Sequence, residues 1–202
     1  MLPVAGFIVC VALILFAFLV YSGLFHKVVV SVGSPPIGKI LIAYKFSTGP
    51  YKNVGNLFKE VGELAPHNAC LGIYYDDPGQ FPSHLLRWAV GSILAYDDET
   101  PSREAKKLFE SKGYKFTTLP AISKAMVTSF PYKNFMSIII AVNKVYSAME
   151  RYEKEHKLYA CPYMEIAEGG HCNYMAPLER QDDFYLEELK IDGKIVYEPT
   201  DK

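Results

Sequence analysis

The first 25 residues carry no charged side chain, and this run constrains the fold more than any other feature of the chain. Its core, AGFIVCVALILFAFLVYSGLF, supplies about 20 apolar residues, enough at about 1.5 Å per residue to span the roughly 30 Å hydrocarbon layer of a bilayer. A cleaved signal peptide is the alternative, since small residues occur near the end of the run. A positively charged start is missing, however, and the run is long. We therefore predict a transmembrane anchor over residues 1–25.

The charges that follow the anchor predict its orientation. Five lysines precede the first acidic residue, Glu60, and the positive-inside rule places a domain with such a flank in the cytosol. The N-terminus is then luminal. Three cysteines outside the anchor (Cys70, Cys161, Cys172) form no even set for a disulfide framework, and the chain contains no Asn-x-Ser/Thr sequon, as expected of a cytosolic domain.

Composition limits which kinds of fold and function are open to the residues after the anchor. The 202-residue chain is half hydrophobic and has a net charge of −1, so it can bury a core but lacks the basic surface that direct nucleic-acid binding needs. Tyrosine is common, with 15 copies, next to 12 phenylalanines and one tryptophan. Such a composition suits an aromatic-lined cavity and an ordinary sheet core equally.

A tetrapeptide repeat organises the domain. Pro-Tyr-Lys-Asn occurs at residues 50–53 and again at 131–134, 81 residues later. Each copy follows a predicted strand and opens a predicted helix, near Tyr51–Leu64 and near Asn134–Lys157, and two more strands follow each helix. We therefore predict an α+β fold of two strand–helix–strand–strand repeats with an antiparallel sheet. Residues 26–36 form the linker, 37–190 the domain and 191–202 a short C-terminal tail.

These repeats resemble the GyrI-like domain, two such modules with a ligand cleft between them. The resemblance covers residues 37–189 and is carried by GPY at 49–51, YYDDP at 74–78, LRWAVG at 86–91, MEI at 164–166 and APL at 176–178. It implies that Glu165 corresponds to the carboxylate that binds cationic ligands.

A resemblance over nearly the whole chain is to the testis-expressed protein 264 family, through YSGL after the anchor, GSPPI, AYKF, AVGSIL, FPY and PLxRQxDFY. It implies a single-pass endoplasmic reticulum (ER) protein that acts as an ER-phagy receptor and adaptor. Autophagy proteins are the implied partners, together with an AAA segregase in the repair of protein–DNA crosslinks at the nuclear envelope. The family receptor carries an acidic tail with an aromatic-x-x-aliphatic autophagy motif. Because the sequence ends at Lys202 and FYLEEL does not match that motif, we expect this chain to lack it.

Glu165 is the candidate for ligand chemistry, and its setting leaves two readings open. Strand alternation places Glu165 on the same face of the strand as Tyr163 and Ala167. Among such neighbours a carboxylate keeps its charge only if a cation or several hydrogen-bond donors lie close to it. A bound cationic or aromatic ligand would meet that need, helped by cation–π attraction. An ion pair with Arg87 or Arg180, or plain exposure, would meet it as well.

The predicted ligand-binding residues are Glu165, Tyr74, Tyr51, Tyr132 and Trp88. Tyr74 takes the place in the first repeat that Glu165 holds in the second, and the aromatic residues form either cleft walls or core. We predict no catalytic residue. The alternative is a detoxifying enzyme that hydrolyses cyclopropane-containing compounds with Glu165 as general base.

No metal or cofactor is predicted. His171 and Cys172 are adjacent on a strand, so they face opposite ways and cannot share an ion with Cys161. The spacing from Gly33 to Lys39 is that of a phosphate-binding loop, but Ile40 replaces the required Ser or Thr, and two prolines remove backbone amides.

Overall fold

The computed structural model describes residues 2–199, and its elements alternate in the order that the repeat predicts. The helices are α1 (Leu2–Tyr21), α2 (Val54–Leu64), α3 (Arg103–Ser111) and α4 (Phe135–His156). The strands are β1 (Ser31–Gly33), β2 (Ile40–Thr48), β3 (Cys70–Tyr74), β4 (Arg87–Tyr96), β5 (Lys115–Leu119), β6 (Ala125–Pro131), β7 (Tyr163–Glu168), β8 (His171–Pro177), β9 (Lys190–Ile191) and β10 (Lys194–Ile195).

Eight of these strands form one antiparallel sheet in the order β1-β6-β8-β7-β3-β4-β2-β5. The first module is β2-α2-β3-β4 and the second is β6-α4-β7-β8, and they join where β3 pairs with β7. Each module gains one outer strand, β5 on β2 and β1 on β6. The predicted α+β fold of two repeats in an antiparallel sheet is therefore confirmed.

Different elements pack on the two faces of the sheet. One face carries a large apolar cluster that includes Ile42, Leu71 and Met164, and the segment from Phe184 to Leu189 packs on it. The other face carries α2 over the first module and α4 over the second. Because side chains alternate along a strand, Glu165 points to the helical face while its neighbours Met164 and Ile166 point into the apolar cluster.

The two Pro-Tyr-Lys-Asn copies begin their helices differently. Residues Tyr51–Asn53 form a 3-10 turn before α2, and Asn53 makes no side-chain cap. Asn134 is extended and caps α4, with its Oδ1 accepting from the Ser137 N–H at 3.1 Å. Its amide also donates to the Ser22 Oγ at 3.0 Å, so the second copy binds the end of α1.

A buried ion pair ties the C-terminal segment to the sheet. The Arg87 guanidinium lies 2.6 Å from the Asp76 carboxylate, and their side chains are 8% and 1% exposed. The same guanidinium donates to the carbonyls of Val196 and Tyr197 at 2.5 and 2.7 Å. The segment after β10 is therefore held by hydrogen bonds rather than lying free.

We expect Arg87→Leu to lower the free energy of unfolding by about 3–5 kcal/mol, because it leaves the Asp76 carboxylate buried without its partner. Chemical denaturation of the full chain in detergent, followed through the fluorescence of its single tryptophan, measures this loss. Arg180→Leu is the matched control, since the Arg180–Asp183 pair is about half exposed. It should cost about 0–1 kcal/mol. Equal losses in the two variants would contradict the structural role of the buried pair.

Candidate ligand-binding site

The candidate site lies on the helical face at the seam between the two modules. Glu165 in β7 is paired with Gly72 of β3 on one side and with Tyr174 of β8 on the other. The seam puts this carboxylate between α2 and α4 and places residues from both modules within its reach.

Two phenol groups hold the Glu165 carboxylate, one from each module. The Tyr146 hydroxyl of α4 donates to Oε1 at 2.6 Å, and the Tyr74 hydroxyl of β3 donates to Oε2 at 2.9 Å. Burial raises the pKa of Glu165 above that of an ordinary glutamate, and the two phenol hydrogen bonds oppose that rise. Burial and the Glu165 charge raise the pKa of both tyrosines as well, so both stay protonated and act as donors.

Gly72 makes room for this arrangement. A Cβ on Gly72 would lie 2.8 Å from the Phe58 ring and 3.1 Å from the Tyr74 hydroxyl. The missing side chain therefore lets the Tyr74 ring lie over Gly72, the residue that pairs with Glu165 across the β3–β7 seam. Residue 72 is glycine because of this close approach, since its backbone does not take the left-handed conformation that favours glycine.

A cavity of about 1700 Å³ opens beside the carboxylate, with walls from α2, α4 and the sheet. Aromatic rings surround Glu165 in edge-to-face contact: Tyr74 lies 5.0 Å from Tyr51 and 6.3 Å from Tyr146, and Tyr146 lies 6.0 Å from Tyr174. The cavity exceeds the roughly 300–1000 Å³ of ordinary ligand pockets and is partly open to solvent, so it is a wide cleft rather than a closed chamber. A carboxylate within aromatic walls is suited to a cation.

The predicted site residues take three kinds of position. Glu165, Tyr74 and Tyr51 come together, although the Tyr51 hydroxyl bonds to the backbone of Asp76 instead of facing the carboxylate. Tyr132 lies on the cavity wall, is 43% exposed and donates its backbone N–H to Gly170. Trp88 lies outside the cavity lining and is buried against α2, with its indole N–H donating to the Gly49 carbonyl at 3.1 Å. Of the two positions left open for it, cleft wall or core, Trp88 takes the core position.

Glu165 does not form an ion pair with Arg87 or Arg180, which was one of the settings that the sequence left open. Arg87 pairs with Asp76, and Arg180 pairs with Asp183. Within residues 2–199, Glu165 has no cationic partner, and its side chain is only partly exposed. Its two hydrogen-bond donors are both uncharged, so the carboxylate has no fixed positive charge to neutralise it.

Sequence reasoning missed Tyr146 and Tyr174 as site residues. Counting cross-strand partners from each Pro-Tyr-Lys-Asn copy makes Tyr74 the counterpart of Glu165 and Trp88 the counterpart of Tyr174. The repeat thus contained the signal for Tyr174. Tyr146 lies eleven residues into α4, and its position depends on how the helix sits on the sheet, which no local pattern reports.

Metal ligation has no support in the part of the chain that the structure describes, where no three His, Cys, Asp or Glu side chains could hold an ion. Cys161 contacts the Tyr75 carbonyl and the Tyr185 hydroxyl. Cys172 lies near Glu165, and both cysteines line the cavity.

We expect Gly72→Ala to lower the free energy of unfolding by about 1–3 kcal/mol and to move the Tyr74 hydroxyl away from Glu165, because the new methyl group overpacks the seam. Chemical denaturation gives the first effect, and a further rise in the pKa of Glu165 gives the second. Gly62→Ala is the control, because nothing lies within 4 Å of its added Cβ. It should stabilise α2 by about 0.5–1 kcal/mol. Stabilisation by both substitutions would show that the seam can accommodate a methyl group at residue 72, which would contradict the close packing described here.

Comparison with solved structures finds related shapes at low similarity. The C-terminal domain of EcmrR covers 77% of this chain and 98% of its own, with 10% identity and a TM-score of 0.47. A hydrolase from Listeria innocua covers 76% of this chain and 92% of its own, with 10% identity and a TM-score of 0.43. Both scores lie below 0.5, so the fold assignment rests on the topology described above.

Sequence comparison is more specific, although the chain matches no protein-family model. Human testis-expressed protein 264 is 41% identical over 187 residues, which cover 93% of this chain and 60% of the human protein. The mouse homologue is 43% identical over 174 residues, which cover 86% of this chain and 56% of the mouse protein. The chain thus spans somewhat more than half the length of these relatives, and it belongs to the testis-expressed protein 264 family.

Proposed function

We propose that this chain is an ER membrane protein whose cytosolic domain binds a small cationic aromatic ligand at Glu165. The observation that carries the ligand proposal is the Glu165 carboxylate, which is bonded to two phenols and has no cationic partner within residues 2–199. A bound cation would supply the missing countercharge, and the rings around it would add cation–π attraction. Four lysines also line the cavity (Lys52, Lys59, Lys154 and Lys157), and within residues 2–199 none of them pairs with Glu165. Lys154 and Lys157 lie about 12 Å or more along the chain from Tyr146.

The anchor part of the proposal is supported by α1. Residues Val4–Tyr21 have a mean hydropathy of 2.9 and none of this window is buried, so by length and composition the helix could cross a membrane. A signal sequence near an N-terminus meets the same criteria, and the run of lysines after α1 supports an anchor with a luminal N-terminus.

Topology can be tested in cells. We expect a glycosylation sequon fused to the N-terminus of the full chain to be modified, and the same sequon fused after residue 202 to stay unmodified. Co-staining should place the protein in the ER. Secretion of the domain, or glycosylation at the C-terminal sequon alone, would contradict the proposed anchor and orientation.

Ligand binding should depend on the Glu165 charge. We expect the detergent-solubilised chain to bind tetraphenylphosphonium better than tetraphenylborate, which has the same shape and the opposite charge. Glu165→Gln should weaken binding of the cation about tenfold or more, since a charge-assisted contact contributes about 1.5–3 kcal/mol. Glu150→Gln is the control, because it removes one exposed charge from the same wall. Equal affinity in all three proteins would remove Glu165 from the binding site.

The pH dependence has a definite sign. The raised pKa means that Glu165 takes up a proton at a higher pH than an ordinary glutamate. Cation affinity should therefore fall as the pH is lowered through that raised pKa and be fully present above it. Isothermal titration across the acidic and neutral range measures this, and Glu165→Gln should give a flat profile.

A second candidate is hydrolysis of cyclopropane-containing compounds, favoured by the raised pKa of a carboxylate that lines an aromatic cavity. A raised pKa makes the carboxylate a stronger base toward an attacking water. Turnover of such a compound by the full chain, and its loss in Glu165→Gln, would establish the reaction. Binding without turnover would leave the first proposal standing.

For the larger assemblies, we propose the adaptor and crosslink-repair roles that the family resemblance implies, with an AAA segregase as partner, and an ER-phagy receptor role with autophagy proteins for a chain that carries the family's acidic tail. These roles rest on membership of the family alone. Direct binding of the purified full chain to the purified segregase, measured in detergent, would test the repair branch.

A further inference from the structure

An apolar surface on the first two turns of α4 has no cover in the structure. Its members are Phe135, Ile138, Ile139 and Val142, spaced i, i+3, i+4 and i+7, so they share one side of the helix. Phe135 is 73% exposed. We call these four residues the α4 apolar face. Exposed apolar patches of this kind mark contact surfaces.

The end of α1 is attached next to this face. Ser22, directly after α1, is fully buried, and its hydroxyl hydrogen-bonds with the Asn134 side chain at 3.0–3.2 Å. Asn134 immediately precedes Phe135. On the next turns of α4, the Lys144 ammonium donates to the carbonyls of Leu24 and His26 at 2.8 and 2.7 Å. The chain therefore leaves the anchor and contacts α4 at once, without a free linker.

This attachment sets the depth of the N-terminal end of α4 relative to a membrane that α1 crosses. If α1 spans the hydrocarbon layer, its end at Tyr21 lies at the interface, and the headgroup zone beyond it is about 5–8 Å thick. One hydrogen bond separates Ser22 from Asn134, so Phe135 cannot lie far from that zone. Val142 is about 10 Å along the helix from Phe135, within reach of the same layer.

We propose that the α4 apolar face inserts into the headgroup–acyl boundary of the membrane that α1 crosses, as a second membrane contact of the domain. A helix with one apolar side lies in this layer with that side buried about 5–10 Å deep. Tyr132, Phe135 and Ile138 also line the cavity, so this end of the cavity opens at the lipid surface. The proposal rests on the anchor in the proposed function and is independent of what binds at Glu165.

Tryptophan quenching by lipid tests the insertion, because the chain has one tryptophan, Trp88, which is buried in the domain. The full chain is reconstituted at one copy per nanodisc, in lipids with brominated acyl chains, as Phe135→Trp, Tyr159→Trp or Phe16→Trp. Tyr159 is an exposed aromatic residue beyond the opposite end of α4 and reports on the water-facing side. Phe16 lies in α1 and reports on the anchor. The signal of the unsubstituted chain is subtracted from each.

We expect the added fluorescence of Phe135→Trp to be quenched at least about twofold more than that of Tyr159→Trp, since the face is buried below the headgroups. Phe16→Trp should be quenched as well. Quenching of Phe16→Trp without quenching of Phe135→Trp would overturn the second contact and leave the anchor intact. Absence of quenching in both would overturn the anchor and, with it, the second contact. A single copy per disc excludes a second chain as the cover of this face.

Discussion

The pairing of β3 with β7 is the interaction on which the rest of the structure depends. Five residue pairs join the two modules into one sheet, and Gly72 and Glu165 form the middle pair. A slip of one residue would send Glu165 to the opposite face, into the cluster around Leu71 and Ile73, where no donor would meet its charge. The register that closes the apolar face therefore also positions the carboxylate between the two helices.

Much of the fold was predictable because its signals are local. The repeated tetrapeptide, the alternation in the strands and the helix boundaries follow from neighbouring residues, and α4 begins and ends within one residue of the prediction. Asp192 and Gly193 form the turn between β9 and β10, and both residues take positive φ. A turn of this kind is encoded by the two residues that form it.

The site was predictable only in part, because its contacts cross between modules. Glu165 was found through strand alternation and the GyrI-like resemblance, and Tyr74 through the repeat, whereas Tyr146 is brought in by the packing of α4 on the second module. Trp88 was predicted as either a cleft wall or a core residue, because an aromatic side chain suits both positions. Its counterpart Tyr174 is the one that lines the cavity, and the two modules are therefore related in backbone but not in chemistry.

The central claim is that Glu165 is an uncompensated carboxylate held by two phenols, and its protonation state tests this most directly. The measurement is the infrared carboxyl signal of the full chain against pH, taken as the difference from Glu165→Gln. The account predicts that this group titrates above the value of about 4.3 for an ordinary glutamate. It should titrate higher still in Tyr146→Phe, which removes the 2.6 Å donor. Titration at the ordinary value, unchanged by Tyr146→Phe, would contradict the account.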